Sequence, residues 1–238
     1  MNRPGARNAL SVALMTALET TLAAINADPN ILVVVISGAG PAFCAGHDLR
    51  EMRAEPEGHA ALFAQCSRLM LQIQALRQPV IAQVHGIATA AGCQLVATCD
   101  LAIASDTARF ATPGVNIGLF CSTPMVALTR SIGRKAAMEM LFTGDLIDAQ
   151  RACALGLVNH VVPEAELSTS VAALAEKIAA KSPAALAIGK AAFARQQSLP
   201  TAEAYAVAAE VMTCNMCEAD AVEGIDAFLN RRPPVWQG

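Results

Sequence analysis

Apolar positions recur at helical spacing along the first stretch of this chain. Leu10, Leu14, Leu18, Leu22 and Ile25 share one face, which predicts a helix over Asn8 to Ile25. Pro29 and Asn30 end it, and the pattern changes. Ile31 to Ile36 is an unbroken aliphatic run, as expected of a strand buried on both faces. Leu62, Leu69, Ile73 and Leu76 then mark a helix over Pro56 to Leu76, and Pro79 to Val84 reads as a second buried strand. Leu101 to Ala104, Ala108 to Ala111 and Val158 to Val162 are further short strands. Helices fall between them at Ala90 to Thr98, from Thr123-Pro124 with Ser122 as cap, at Arg134 to Phe142, and at Ala149 to Leu155 between an Asp148 cap and a Gly156 stop. Strands alternating with helices predict an α/β fold with right-handed crossovers. Beyond Pro163 the strands cease, and Glu164 to Ala180, Ala184 to Arg195, Thr201 to Met216 and Ala219 to Leu229 all read as helix. Residues 1–162 therefore form an α/β core, and residues 163–238 an Ala-rich helical region suited to packing against another subunit.

Composition narrows the function classes. Of 238 residues, 54% are hydrophobic, yet no run of about 18 apolar residues escapes a charge or a Gly/Pro break, so no transmembrane helix is expected. Aromatics are 4% and the net charge is −3, which argues against nucleic acid as a partner. Basic pairs at Arg50 and Arg53, Arg134 and Lys135, and Arg231 and Arg232 offer local sites for a small polyanion, or plain solvated surface. The opening MNRPGARNALS lacks an apolar signal core, and eight cysteines without a secretory signal read as reduced thiols, so a cytoplasmic protein is expected. Cys214 and Cys217 form a lone CxxC in a helical segment and read as packing, and His59 and His160 lack ligand spacing, so no metal site is assigned.

Two small-residue loops carry the candidate chemistry. PAFCAGHDL (Pro41 to Leu49) follows the first aliphatic run, and HGIATAAGCQL (His85 to Leu95) follows the second. Small residues at strand ends leave backbone N–H groups free to point into a cleft. Two such groups converging on one point stabilise charge developing on a carbonyl oxygen. The usual acids are missing nearby: Gln94 stands after the second loop, and ATPGVNIGL (Ala111 to Leu119) holds no carboxylate.

NRPGARNALS, FCAGHDL, HGIATAAGCQLVATCDLAIAS, FTGDLIDAQRACALGLVNHVVP and EGIDAFLNRRPPVW, in this order and spacing, resemble the crotonase superfamily, the enoyl-CoA hydratase/isomerase family, over essentially the whole chain. The resemblance extends to its domain-containing members that lack the catalytic glutamates. It implies an α/β fold built as a spiral of ββα units with a C-terminal helical trimerisation region. It also implies a homotrimer or dimer of trimers, and an acyl-CoA thioester as substrate with no cofactor beyond it. By position, the backbone N–H groups of His47 and Ala91 match the family's oxyanion hole, with each donor worth about 3 kcal/mol toward an enolate-like transition state. Ala45 and His47 would face the adenine, Phe228 and Arg231 match C-terminal positions that reach coenzyme A, often a neighbour's, and Arg7 is a further phosphate candidate.

The departures from the family are chemical. The positions of its two water-activating glutamates hold Gln94 and Gly114, and the aspartate of its dienoyl isomerases matches Ser122. Loss of a general base costs about 10²–10⁴-fold in rate, so fast hydration is not expected. An enzyme of the lyase or isomerase type with an atypical acid–base set is one reading; a non-catalytic acyl-CoA binding or scaffold protein is the other. The His47 ring is an acid–base candidate or a channel lining. Phe120, Cys121, Met52, Leu62 and Met125 read as lining of the acyl pocket, and Asp48, Asp100, Asp145, Asp148 and His85 as structural. Glu139 reads as an ion-pair partner. The family places a β-hairpin before the NRP turn, which this sequence does not show: either the reading frame starts late or the hairpin is absent, and a missing hairpin would leave a sheet edge uncovered.

Overall fold

The computed structural model describes residues 1–238. Its strands form two four-stranded sheets whose members alternate along the chain. The first sheet runs β1 (Val34–Ser37), β3 (Val80–Val84), β5 (Leu101–Ser105), β8 (His160–Val162), all parallel. The second runs β2 (Ala42–Cys44), β4 (Ile87–Thr89), β6 (Arg109–Ala111), β7 (Ile147–Asp148), with β7 alone antiparallel. Each strand of the first sheet from β1 to β5 passes directly into one of the second, and a helix follows. These helices are α2 (Leu49–Ala54) with α3 (His59–Ala75), α4 (Ala91–Thr98), and α5 (Ser122–Ser131) with α6 (Arg134–Thr143). Three turns of this ββα unit make the spiral, preceded by α1 (Val12–Ala27). One apolar cluster joins them, with Leu10, Met15, Phe43, Leu69, Leu95 and Phe110 at its centre. No helix is long and apolar enough to cross a membrane.

Several boundaries differ from the sequence expectation, each for a local reason. The first helix starts at Val12, not Asn8. Arg7 and Asn8 take left-handed backbone, and Ser11 caps the helix by accepting the Leu14 N–H. The strand expected over Ile31 to Ile36 begins only at Val34, and it alternates rather than being buried on both faces: Val35 is 41% exposed. β1 is an edge strand, so only one of its sides is paired to another strand. The Met1 ammonium donates to the Ser37 carbonyl, which lays the first residue beside the end of β1. Helix α2 and the three-residue strands β2 and β4 were not anticipated. Pro56–Gly58 is a 3₁₀ turn ahead of α3. Ser122 lies inside α5 rather than capping it; Cys121 is the cap residue. Asp148 and Gly156 bound α7 (Ala149–Leu155) as expected, through an Arg151 N–H bond of 2.7 Å and a left-handed glycine.

After β8 only helices remain. Helix α8 (Leu167–Ala179) seals the first sheet, with Leu167 and Val171 against Ile81 and Ile103. Helices α9 (Pro183–Gln196) and α10 (Thr201–Asn215) bury no residue fully. One internal clamp ties α9 to the core. The Lys190 ammonium donates to Asp100 at 2.6 Å and to the Ile73 and Gln78 carbonyls, while Asp100 also accepts the Val80 N–H. Helix α11 (Ala219–Leu229) packs on α9.

Candidate functional site

The two loops found in the sequence meet at the ends of β2 and β4. Gly46 has φ +92°, a conformation that side chains disfavour, and a Cβ there would stand 2.9 Å from the Ala90 methyl and 3.4 Å from the Ala91 nitrogen. Gly92 is forced by a closer approach: a Cβ would lie 2.0 Å from the Cys44 carbonyl oxygen. The first turn of α4 therefore sits directly on the end of β2, with Ala91 at its first helical position.

Each loop is aimed by its own device. The His47 loop is held by the NRPGARNAL turn. The Leu10 N–H donates to the Gly46 carbonyl at 2.7 Å, the Asp48 N–H to Leu10, and the Ala45 N–H to Arg7. Arg3 pairs with Asp48 at 3.1 Å and also bonds the Ala9 carbonyl. Asn8, fully buried, accepts from the Arg3 N–H and donates to the Ala39 and Ala42 carbonyls. Asp48 also caps α2. Burial opposes ionisation of Asp48, but Arg3 and the N–H groups of Arg50 and Glu51 outweigh it and hold the carboxyl below its ordinary range. On the other side the Ala90 N–H donates to Ala111 at 2.9 Å, and Ala90 takes φ +51°, ψ −119°. That is strained backbone for an alanine. What both devices leave over is the same: the N–H groups of His47 and Ala91 have no acceptor within the chain.

Buried polar atoms without partners occur on residues of these same segments. They are both ring nitrogens of His47, Oε1 of Gln94 and Oγ1 of Thr112. Gln94 is 5% exposed and one turn along α4; Thr112 is fully buried and follows the Ala111 carbonyl that anchors Ala90. Thr112 is not among the sequence candidates, and the only signal for it is its place inside the acid-free ATPGVNIGL segment. The His47 ring packs edge-on to Phe63 at 5.5 Å, and burial pushes its pKa down, so the imidazole is neutral at pH 7. This favours the lining role for the ring over proton transfer.

Gly114 faces a filled space. A Cβ there would lie 2.6 Å from the Leu119 carbonyl oxygen and 2.9 Å from Cys121 Sγ. The Leu119 N–H returns to the Gly114 carbonyl, closing the 3₁₀ turn Pro113–Ile117. Phe120 is half exposed and stacks obliquely on Phe142 at 6.1 Å, so it lies at the surface of this loop. Burial raises the thiol pKa of Cys121, with the Gly114 N–H pulling the other way. Its neighbour Cys93 is pushed up to about 12, also by burial.

The remaining candidates lie apart. Arg7 is exposed; its carbonyl anchors the Ala45 loop and its guanidinium makes no ion pair. Phe228, 82% exposed, and Arg231, with left-handed backbone at the end of α11, belong to the helical region, and α11 packs on α9 rather than on the loops. A cleft of about 1340 Å³ runs under α9 between α3 and α5 and reaches the site only at Gln94. His85 bonds the Gly40 carbonyl and Asp100 pairs with Lys190, both structural. Glu139 makes an exposed pair with Arg151 at 3.8 Å.

The sequence model of one family, described as Enoyl-CoA hydratase/isomerase, matches residues 1–238. The human enoyl-CoA hydratase domain-containing protein 3, mitochondrial, is 49% identical over 239 residues, covering 99% of this chain and 78% of that protein. Its Xenopus laevis counterpart is 48% identical, covering 99% and 81%. The crystal structure of an enoyl-CoA hydratase from Mycobacterium smegmatis superposes with a TM-score of 0.97 at 54% identity, covering 99% of this chain and 93% of that one. These matches overturn the expectation of a cytoplasmic protein, since the human and Xenopus relatives are mitochondrial. Reduced thiols mark a reducing compartment without distinguishing which one.

Proposed function

The chain belongs to the enoyl-CoA hydratase/isomerase family, and from that premise we propose that it is an acyl-CoA enzyme whose backbone stabilises an enolate while its acid–base set is altered. The observation that carries this reading is the pair of unsatisfied N–H groups, His47 and Ala91, brought together by Gly46 and Gly92. Donors fixed in a water-poor site act on charge only as it develops, and each is worth about 3 kcal/mol. The thioester oxygen sits between them. Arg7 and the Ala45 backbone serve coenzyme A. Phe228 and Arg231 act on a neighbouring copy, because α11 packs on α9 rather than on its own loops and leaves Phe228 exposed. The helical arm exposes Tyr205 (74%), Phe228 and Leu229, and further copies of the chain cover it in a homotrimer or a dimer of trimers.

Hydration is slow in this reading. Gln94 can orient water but cannot take its proton, and Gly114 contributes no group. Two measurements test it. The thioester carbonyl band of bound butyryl-CoA shifts to lower infrared frequency if two N–H groups grip its oxygen; an unshifted band rejects the hole. In a crotonyl-CoA assay the protein is slow, and Gln94→Glu gains hydration. Gly114→Glu does not help: its Cβ meets the Leu119 carbonyl, and the variant loses about 1–3 kcal/mol of stability. Hydration by the parent at ordinary hydratase rates overturns the altered acid–base set. A shifted band with no turnover of any acyl-CoA favours the binding-protein alternative, to which the loss of both acids points.

A further inference from the structure

The space at Gly114 is occupied by sulfur. Cys121 Sγ lies 2.9 Å from where the Gly114 Cβ would be, within the reach of the side chain that position 114 lacks. A side chain at 114 and the thiol at 121 therefore exclude each other. The thiol arrives there because the Leu119 N–H to Gly114 bond folds the loop back on itself, so that seven residues of chain return to their start.

Three further features single out this thiol. Cys121 is free and only 7% exposed, and its side chain does not cap the helix it precedes. The N-terminus of α5, ten residues long, opens beside it, with the Thr123 N–H unpaired. Two nine-tenths-buried polar side chains lie close by in the chain's folding: Gln94, three residues past Ala91 on α4, and Thr112, next to the Ala111 carbonyl that accepts the Ala90 N–H, each holding a side-chain oxygen without a partner. Buried polar atoms left unpaired cost stability unless a ligand or water meets them. Beside these unpaired oxygens Cys121 offers a thiol that can carry a proton, and of the two neighbouring buried thiols, Cys93 and Cys121, it is the one that stands at the Gly114 position.

We propose that Cys121 is the proton-transfer residue of this site, carrying the α-proton of the bound acyl thioester in place of the residue missing at 114. The proposal rests on the reading of His47 and Ala91 given above. In one direction the Cys121 thiol first gives its proton to water, and the thiolate so formed takes the α-proton. The C–H bond breaks, an S–H bond forms, and the electron pair moves toward the thioester carbon as its C=O becomes an enolate oxygen held by the two N–H groups. In the other direction the S–H proton returns to the α-carbon and the thioester is restored. Nothing is consumed, and the sulfur exchanges its hydrogen with water between events. Burial keeps Cys121 protonated at rest, the form that quenches an enolate. The Gly114 N–H and the α5 N-terminus stabilise the thiolate when it forms.

The experiment is hydrogen–deuterium exchange at the α-carbon of butyryl-CoA in D₂O, followed by NMR, with butyryl-CoA binding measured by calorimetry. The protein is expected to exchange that position at least about 100-fold faster than buffer, and Cys121→Ala and Cys121→Ser to lose about 10²–10⁴-fold while still binding butyryl-CoA. Binding without exchange by the parent overturns the proposal and leaves the hole intact, as does exchange at the parental rate in both variants. Failure of the parent to bind rejects the reading of the hole, and this proposal with it. If the variants do not fold, alkylation of the parent decides. Exchange that falls in proportion to Cys121 modification, mapped by mass spectrometry and slowed by butyryl-CoA, supports the role. Exchange that survives full Cys121 alkylation overturns it.

Discussion

The two loops that present His47 and Ala91 reach the same outcome by opposite means. The His47 loop has little rigidity of its own, and a distant turn holds it through three backbone bonds, the Arg3–Asp48 pair and the buried Asn8 amide. The Ala91 loop is rigid from within. A strand leads in, a helix leads out, and the strained Ala90 turns the corner between them. In both, the backbone leading to the donor is tied down while the donor N–H has no acceptor within the chain. One donor is thus held by contacts that a single remote substitution can cut, and the other by local conformation that only substitution in place can relax.

The largest effect expected from this contrast lies far in sequence from either donor. Asn8→Ala removes three hydrogen bonds of a fully buried amide and leaves the Ala39 and Ala42 carbonyls short of a donor. It also puts alanine at φ +53°, where asparagine is favoured. At about 1 kcal/mol per bond, plus the backbone cost, the loss is about 3–4 kcal/mol, readable as a lowered denaturant midpoint at unchanged slope. Because the turn aims only the His47 side, the infrared shift of a bound thioester carbonyl is expected to shrink in the surviving folded protein. A neutral Asn8→Ala would show that the turn does not hold the loop.

This dependence also explains what could be read in advance. The α/β alternation, the helical last third and the two donor loops were legible because each rests on local pattern or on a run of small residues. Strands β2 and β4 were not, since Ala42–Cys44 and Ile87–Thr89 are three residues long and lie in stretches that read as loop. Asn8 looked like the start of a helix because its neighbours keep the helical period; only its contacts across 31 and 34 residues reveal a different task. The meeting of Gly114 with Cys121 depends on one turn, closed by the Leu119 N–H, that no periodicity signals. Thr112 is polar by type and buried by place, and its place is set by the pairing of β6 with β4. The exposed faces of α9 and α10 could be read as helix but not as arm, because alanine-rich sequence suits either burial.

The opposite loop predicts a smaller effect of opposite sign. Ala90→Gly relieves a positive-φ alanine, a strain of about 1–3 kcal/mol, against a glycine entropy cost of about 0.5–1 kcal/mol. A net gain of about 1 kcal/mol raises the melting temperature by about 2–4 °C in a chain of this size. A loss of stability instead would mean that the Ala90 methyl, packed against Gly46, does more for the loop than its backbone strain costs.

The smallest effect separates the backbone of His47 from its ring. Burial lowers the imidazole pKa in the folded chain below its ordinary 6.5. The unfolded chain therefore binds the proton first as pH falls, and stability declines from about pH 6.5 down to the lowered folded pKa, where the slope ends. The Asp48 carboxyl, itself held below its ordinary value, begins to add to the loss only lower, as pH falls past 3.8. His47→Gln is expected to remove the first of these slopes and leave the second, in unfolding measurements between pH 7 and 3. The same variant keeps the residue 47 N–H, so it is expected to retain the infrared shift of a bound thioester. If the slope vanishes and the shift stays, the ring is lining and the peptide is the working part. If the shift is lost with the ring, side chain and backbone act together on this side of the hole, and the likeness between the two donors ends at the main chain.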